Sequence, residues 1–347
     1  MTTRRYGILI MPAANRVYAE ASVELMEAEL EVFDRAVLGG RLEHIVPETI
    51  GGVPYITFAA PELSEREIGF LSNLSSLYAL FGLNADGTLA PVPLRRLDRF
   101  DDDLITIQKY AGKTNEHFTK MLLNATILST RFAAEMVDRP LAVLDPLCGR
   151  GTTLNQALMY GYDAAGVDID GKDFEAYAAF IRTYLKRKRM KHSAEIVPVR
   201  RDRKLVARRL EVSIGLSKEE YKSGEKRRLT VVNADTTSAG AFFPRESFDV
   251  IVADAPYGVQ HGSRDRQQHL SRRPLDLLAA ALPEWTGLLR PGGAVGISWN
   301  TYVAGRDDVA EVFAKNGLEV LDEGPYRRFR HRVDQAIIRD VIVARKP

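Results

Sequence analysis

The sequence is poor in cysteine and tryptophan and has no long hydrophobic run. Cys148 is its only cysteine, and two tryptophans stand among 347 residues. A single cysteine excludes an internal disulfide and a cysteine-rich metal cluster. No apolar stretch approaches the ~18 residues that a membrane-spanning helix needs, and the apolar stretch near the amino terminus is too short for a secretory signal. These absences predict a soluble, cytoplasmic protein.

The small net charge of +2 hides an uneven distribution. Between Arg182 and Arg228, 17 Lys or Arg stand against 6 Asp or Glu, a net of +11, so the rest of the chain carries −9. Such a basic block favours a polyanion as partner, although a solvated arm or an oligomer contact would also account for it. The segment GPYRRFRHRVD (324–334) interleaves aromatic residues with arginines. This pattern indicates phosphate binding with stacking, or simply a charged hairpin.

The first 100 residues alternate between predicted strands and helices. The pattern predicts a strand over 6–10, a helix over 17–34, a hairpin of 41–45 with 53–58, a second helix over 64–82 and a final strand over 91–95. This β-α-β-β-α-β order is typical of the ferredoxin-like α+β fold. We therefore expect a ferredoxin-like domain over 1–100, followed by a linker and a helix that enters the cofactor site over 101–140.

From residue 141 onward, repeated strand–turn–helix units predict a doubly wound parallel sheet. In LAVLDPLCGRGTT (141–153), Gly149 and Gly151 form a tight turn between a strand and a helix, and Asp168 ends the next strand. The glycines would let a ligand approach the backbone, and the acid could accept both ribose hydroxyls of a nucleoside. Position 154 is Leu, so the third glycine of a dinucleotide fingerprint is missing. This favours S-adenosyl-L-methionine (SAM) over NAD.

Two further acids follow predicted strands. Asp235 ends TVVNAD and could accept from an adenine amino group, although a helix cap is an equally good explanation. Asp254 opens DAPYG after the strand FDVIV, at the carboxyl end of a strand, where ligands bind in open α/β sheets. Asp254 and the adjacent carbonyl could accept both protons of an exocyclic amino group and leave its lone pair facing a sulfonium methyl. Pro256 would stiffen the turn, and Tyr257 would stack on a splayed base, worth ~1–3 kcal/mol.

The motifs DPLCGRGT, GVDID, NAD and DAPYG, in that order, resemble those of the SAM-dependent amino-methyltransferases that carry an Asp-Pro-Pro-Tyr motif. With AGKTNEHFTKMLLNATIL upstream, residues 105–347 are similar to the tRNA guanine-N2 methyltransferases often joined to a THUMP domain. The resemblance implies a class I methyltransferase (Rossmann-like doubly wound) domain over 141–347, with seven strands of which the last is antiparallel, and a basic insertion near 186–228. Two departures stand out: Ala255 replaces the usual first proline, and His261 stands where the tRNA subgroup often has an acid.

The motifs also nominate site residues. The candidate catalytic residues are Asp254, Ala255, Pro256 and Tyr257. The candidate cofactor-binding residues are Asp145, Pro146, Cys148, Gly149, Gly151, Thr152, Asp168, Ile169, Asp235 and Asp254. The resemblance adds Lys113, Thr114 and Asn115, at a helix start, as residues that help to hold the SAM carboxylate.

The sequence therefore predicts a SAM-dependent RNA methyltransferase that acts by direct transfer on an exocyclic amino group, namely guanine N2 in tRNA. RNA would contact the segments 182–228 and 324–334. A DNA adenine-N6 or cytosine-N4 methyltransferase would use the same chemistry, and a non-catalytic RNA-binding protein on a methyltransferase fold is an alternative from another class. The sequence carries no prediction of oligomeric state.

Overall fold

The computed structural model describes residues 3–11, 16–256 and 274–347, which form two β-sheets. The first sheet is antiparallel throughout, in the order β2-β3-β1-β4-β5. Its strands are β1 (Arg4–Ile10), β2 (Glu43–Ile50), β3 (Val53–Ala60), β4 (Leu77–Leu83) and β5 (Leu89–Val92). Helices α1 (Arg16–Phe33) and α2 (Glu65–Leu71) connect them. The order β1-α1-β2-β3-α2-β4 confirms the ferredoxin-like arrangement, and β5 adds a hairpin strand at one edge.

The predicted helix over 64–82 is wrong beyond Leu71. Helix α2 begins with a capping box between Ser64 and Glu67, and the chain then turns into β4, which pairs with β1. The sequence LYALFGL of β4 is almost continuously apolar, and such a run cannot be assigned to helix or strand by periodicity alone. The strand predicted near 91–95 is β5, the fifth strand of the sheet rather than the fourth.

The second sheet has the predicted doubly wound order. Its strands are β6 (Ala142–Asp145), β7 (Asp163–Asp168), β8 (Lys191–Arg201), β9 (Lys204–Gly215), β10 (Arg227–Asn233), β11 (Phe248–Asp254), β12 (Leu289–Asn300), β13 (Glu319–Leu321), β14 (His331–Arg332) and β15 (Ile338–Arg345). They lie in the order β13-β15-β12-β11-β6-β7-β10-β9-β8, with β14 on β15. The strands from β12 to β10 are parallel, whereas β15 is antiparallel to β12. This confirms the predicted seven strands with an antiparallel last one, and the hairpin β8–β9 widens the sheet.

The remaining helices cover or connect the second sheet. They are α3 (Asp103–Thr106), α4 (Glu116–Leu128), α5 (Thr152–Met159), α6 (Gly171–Arg187), α7 (Lys218–Ser223), α8 (Pro274–Leu288) and α9 (Arg306–Lys315). Shorter turns of 3₁₀ helix span Ala133–Val137, Thr236–Ala241 and Gly324–Arg327, and a π-helical turn spans Asp34–Leu38. Helix α4 is buried from Phe118 to its end except at Lys120, because it packs against β11, β12, α1 and α5. Within the described ranges, none of the helices is long and apolar enough to cross a membrane.

Buried hydrogen bonds connect helix α1, which follows the first strand of the first sheet, with helix α4, which packs on the second sheet. Glu29 of α1 is fully buried and accepts hydrogen bonds from the backbone and the hydroxyl of Ser75 and from the side-chain amide of Asn124 in α4. Asn124 in turn accepts from the hydroxyl of Tyr160 at 2.8 Å. The division of the chain into 1–100, 101–140 and 141–347 remains a proposal, and these contacts cross its proposed boundaries.

The segment 324–334 has a structural role that its composition concealed. Phe329 is completely buried, and the half-buried Tyr326 makes a hydrogen bond of 2.8 Å with Ser129. Arg328 pairs with two glutamates of α1, and Arg327 pairs with Asp322. The interpretation of these two aromatics as a stacking surface for RNA is therefore wrong for Phe329, which belongs to the interior, and stays a prediction for the half-buried Tyr326.

Candidate cofactor and catalytic site

A cleft of about 400 Å³ opens at the carboxyl ends of β6 and β11. Parallel strands bring their carboxyl ends to one edge of a sheet, where ligands bind. The cleft unites many of the residues that the sequence nominated. Those on its wall are Thr114, Asp145, Cys148, Gly149, Thr152, Asp254, Ala255 and Pro256. Tyr110, Phe118, Arg150 and Asp173 also line it and had not been predicted.

The glycine turn uses its two glycines differently. Gly149 and Gly151 both have positive φ, 47° and 80°. A Cβ on Gly151 would lie 2.3 Å from the ring of Tyr177, whereas a Cβ on Gly149 would meet nothing within 4 Å. Gly151 therefore allows α6 to pack closely on the turn, and Gly149 is the glycine that leaves room on the ligand side. The approach of a ligand to Gly149 stays a prediction, and the space beside Gly151 is taken by Tyr177.

Asp168 fixes the shape of this turn. One of its carboxylate oxygens accepts from the backbone N–H of Gly149 at 2.7 Å, and the other accepts from Asp170 at 2.8 Å. Asp168 and the half-exposed Ile169 lie beside the cleft, at the end of β7, rather than on its wall. Burial raises the pKa of Asp168, and the nearby charge of Asp173 adds to that effect while the two backbone hydrogen bonds oppose it. A contact of Asp168 or Ile169 with the ribose of the cofactor stays a prediction.

Asp235 caps the 3₁₀ turn that follows β10. Its carboxylate accepts from the backbone N–H of Thr237 at 2.8 Å and from the hydroxyl of the same residue at 2.7 Å. The helix-cap explanation that the sequence left open is thus confirmed. A contact with adenine remains untested, and Asp235 is not among the residues on the wall of the cleft.

The three candidate residues at the start of α4, Lys113, Thr114 and Asn115, make different contacts. Lys113 donates to the carbonyl of Ile105 and to Glu116, each at 2.6 Å. Asn115 caps α4 and accepts from the backbone of the first turn. Thr114 is the one of the three that lines the cleft. Its hydroxyl donates to Asp254 rather than into open space, at 2.6 Å.

Asp145 is a buried acid at the end of β6, with only 3% of its surface exposed. Its carboxyl group accepts from the backbone of Leu147 at 3.0 Å, and Pro146 is buried behind it. Burial raises the pKa of Asp145 to about 7, and the charges of Asp168 and Asp254 act in the same direction, against hydrogen bonds from Thr153 and Leu147. An acid that is only partly ionised near neutral pH therefore faces the cleft.

Asp254 ends β11 and is held from three sides. Thr114 and Ser298 donate hydroxyl hydrogen bonds to its two carboxylate oxygens. The guanidinium of Arg339 lies 3.7 Å from the same carboxylate and stacks over the ring of Phe118, 4.2 Å from its centroid. Ala255 and Pro256 continue the wall of the cleft, while Tyr257 and His261 lie outside the described residues.

Sequence reasoning missed Ser298 and Arg339. Ser298 lies directly across from Asp254 in the register of β11 and β12, and Arg339 lies across from Asn300 in β15. The available signal was a polar residue within an apolar strand: Ser298 in GAVGISWN and Arg339 in QAIIRDVIVA. Neither signal alone indicates which side chain it would contact.

Comparison with known proteins agrees with this geometry. A family model described as the RMKL-like methyltransferase domain (UPF0020) matches residues 122–292, which include the glycine turn and Asp254. The fold is that of a class I SAM-dependent methyltransferase. The cofactor of this methyltransferase is SAM. No curated protein matches the chain.

Solved structures similar to the methyltransferase are distant from it in sequence. A TehB-like SAM-dependent methyltransferase from Corynebacterium glutamicum is 18% identical, covers 62% of this chain and 86% of its own, and has a TM-score of 0.34. TrmN from Thermus thermophilus is 16% identical, over 86% of this chain and 57% of its own, with a TM-score of 0.39. A ribosomal protein L11 methylase from Lactobacillus delbrueckii subsp. bulgaricus is 15% identical, over 68% of this chain and 81% of its own, with a TM-score of 0.36.

The residues of the cleft fit SAM. Its volume lies in the range of small-molecule sites, ~300–1,000 Å³, and the space beside Gly149 would be lost to any side chain there. SAM carries a sulfonium and an ammonium group, and the acids Asp145, Asp173 and Asp254 give the wall a complementary charge. Bound SAM would supply an electrophilic methyl group, and the acids would orient its cationic end.

Proposed function

We propose that this methyltransferase modifies RNA, on the exocyclic amino group of a nucleobase, with guanine N2 in tRNA as its target. The observation that carries the proposal is the position of Asp254. It ends β11 on the wall of the cofactor cleft, and the carbonyl of Ala255 and the ring of Pro256 follow it. An amino group docked there would lie beside the cofactor's methyl group.

Asp254 has the chemistry for this task. Its carboxylate oxygens are hydrogen-bond acceptors, and the hydroxyls of Thr114 and Ser298 each hold one of them in place. The carboxylate and the carbonyl of Ala255 would accept the two N–H groups of the substrate amine, which withdraws its lone pair from the ring. The nitrogen then forms its bond to the methyl carbon as the carbon–sulfur bond breaks, and the extra proton leaves the nitrogen afterwards. The acid need not act as a strong base before transfer.

The choice of RNA rests on the resemblance of the motifs and on the basic insertion. The segment that includes β8 and β9 supplies the +11 block, next to the strand β10 of the catalytic sheet. A polyanion is the natural partner of such a block. Tyr257 does not contribute to this argument, since it lies outside the described residues. In the segment 324–334, Phe329 is buried, whereas Arg330 and Arg332 are exposed and keep the predicted contact with RNA open.

Methyl transfer from labelled SAM tests the proposal. The protein would be offered unmodified bulk tRNA and duplex DNA side by side, and labelled RNA would be digested to identify its modified nucleoside. Asp254→Asn removes the acceptor charge, and Asp276→Asn, at an exposed position of α8, is the matched control. We expect N2-methylguanosine in tRNA, lost in Asp254→Asn and kept in Asp276→Asn.

The other outcomes decide between the alternatives. Label in DNA alone would reject RNA as the substrate and favour adenine-N6 or cytosine-N4 methylation. RNA binding without transfer, although SAM binds, would reject the catalytic role of Asp254 and favour a binding protein on this fold.

A further inference from the structure

The basic insertion contains a long hairpin with a well-defined tip. Strands β8 and β9 pair along their full lengths, and Arg201 pairs with Lys204 across a two-residue turn. Both turn residues have positive φ, 47° at Asp202 and 65° at Arg203. Such angles are typical of the type I′ turn, which matches the twist of the two strands it connects. The hairpin is therefore an extension of the catalytic sheet, with one irregularity in its register between Val199 and Arg200.

The direction of the hairpin brings its tip to the catalytic edge. Strand β9 runs antiparallel to β10, with Arg208 opposite Asn233, the last residue of β10. Lys204 begins β9 four residues earlier, so the tip extends ~13 Å past the end of β10 at ~3.3 Å per residue. Because β10 is part of the same run of parallel strands as β11, its carboxyl end lies at the same edge of the sheet as Asp254.

The tip carries cations that have no counter-ion among the described residues. Arg200, Arg201, Arg203 and Lys204 are all exposed, and no carboxylate of the described residues lies within 4 Å of their charged groups; Asp202 is the one acid in the turn. Farther along β9 the arginines are paired. Arg208 bonds with Glu175, and Arg209 lies 3.6 Å from Glu211. Exposed cations without a carboxylate within 4 Å among the described residues therefore lie at the tip and also at the opposite end of the hairpin, for example Arg187, Arg189 and Lys191. Those at the tip are the ones that lie toward the catalytic edge.

Two arginines hold the hairpin in place through three contacts. Arg201 donates to the carbonyl of Ala241 and lies over the ring of Phe242, and Arg209 donates to the carbonyl of Phe242 at 3.0 Å. Both acceptors belong to the segment that follows β10. The tip is therefore fixed relative to the catalytic edge rather than free to swing.

We propose that Arg200, Arg203 and Lys204 bind backbone phosphates of an RNA stem that flanks the target nucleotide. This inference rests on the proposed function. Four strand spacings of ~4.8 Å separate β9 from β11, so the tip stands ~20 Å to the side of Asp254. A duplex carries about one charge per 1.7 Å of axis, so this distance corresponds to on the order of ten charges. The contact is therefore made with a neighbouring helical segment, and phosphate contacts of this kind position a substrate without specifying its sequence.

The test compares the two ends of the same insertion. The tip variant replaces Arg200, Arg203 and Lys204 with Gln. The matched control replaces Arg187, Arg189 and Lys191 with Gln, which removes the same charge from exposed positions at the opposite end of the hairpin, where Lys191 pairs with Gly215. Methylation of unmodified bulk tRNA, SAM affinity and RNA affinity over a range of salt concentrations would be measured for the wild type and both variants.

We expect the tip variant to raise the KM for tRNA ~10-fold or more, with kcat and SAM affinity within about 2-fold of the wild type. The slope of log affinity against log salt should become shallower by ~2–3, since each phosphate contact contributes ~0.9. The control should change KM by less than about 2-fold. Equal effects of the two variants, or no effect of either, would overturn the inference while the wild type still methylated tRNA. A wild type that does not act on RNA would reject the proposed function and this inference together.

A comparison of duplex with single-stranded RNA provides a second test. Binding to an RNA duplex and to an unstructured single strand of equal length would be compared for the same proteins. The proposal requires that the tip variant lose affinity for the duplex. A loss confined to the single strand would reject the stem as the occupant of the tip.

Discussion

The guanidinium of Arg339 lies 3.7 Å from the carboxylate of Asp254, below the cofactor cleft. Arg339 is only 4% exposed, and its planar group stacks on Phe118, which lines the cleft. Stacking of this kind restricts the orientation of a guanidinium. Arg339 thus holds a fixed positive charge beside the acid that is proposed to bind the substrate amine.

Replacement of Arg339 by Gln should lower kcat ~10–100-fold and leave SAM affinity within about 3-fold. Two unit charges ~4 Å apart interact by about 4 kcal/mol at an effective dielectric constant of ~20, and loss of this ion pair lets the carboxylate of Asp254 rotate away from the amine. Single-turnover methylation and SAM binding would be measured together. Arg339→Lys keeps the charge and should restore part of kcat. An equal loss of SAM affinity and of kcat in both variants would mean that Arg339 supports the fold and not Asp254.

The hydroxyl of Thr114 should contribute to the same positioning. Thr114→Val removes the donor that lies 2.6 Å from Asp254 but keeps the shape of the side chain. We expect kcat to fall ~10-fold, since a hydrogen bond to a charged group is lost. Thr114→Ser keeps the hydroxyl and is the control. Unchanged kcat in Thr114→Val would show that Ser298 and Arg339 alone hold the acid.

The site could be predicted from the sequence only where its residues follow a strand in a short motif. Asp254 and Gly149 belong to such motifs, and the doubly wound order brings both to one edge of the sheet. Ser298 and Arg339 contact Asp254 because of the register of β12 and β15. In the sequence, Ser298 lies 44 residues from Asp254, and Arg339 lies nearly twice as far from it. Register between distant strands depends on packing of the whole sheet, and no local pattern in the chain encodes it.

Tertiary context also explains the two errors outside the site. The apolar stretch of β4 suits a helix or a strand, and pairing with β1 decides between them. In the segment 324–334, the alternation of aromatic residues with arginines suggested an exposed stacking surface, but Phe329 is buried and the adjacent Arg328 pairs with two glutamates of α1. In both places, the partner that settles the structure is more than 60 residues away in the sequence.

The acid Asp145 should make SAM affinity depend on pH. Because its pKa is raised to about 7 by burial, the group is mainly protonated at about pH 6 and mainly ionised at about pH 8. The ionised form attracts the cationic end of SAM, so wild-type affinity should rise several-fold over this range. Asp145→Asn should lack this rise, whereas any titration of SAM itself affects both proteins alike. Isothermal titration at a series of pH values would measure it, and parallel curves for the two proteins would contradict the role of Asp145.

Glu29 should be a major source of stability at the junction between α1 and α4. Its buried carboxylate accepts from Ser75 and from Asn124, and burial raises its pKa although these hydrogen bonds oppose the shift. Glu29→Ala would leave these donors without their acceptor, at a cost of ~1–3 kcal/mol for each buried group left unsatisfied. We expect the free energy of unfolding in urea to fall by ~2–4 kcal/mol. Glu24→Ala, at an exposed position of the same helix, should change it by less than ~0.5 kcal/mol. Similar values for the two variants would show that the junction is held by apolar packing alone.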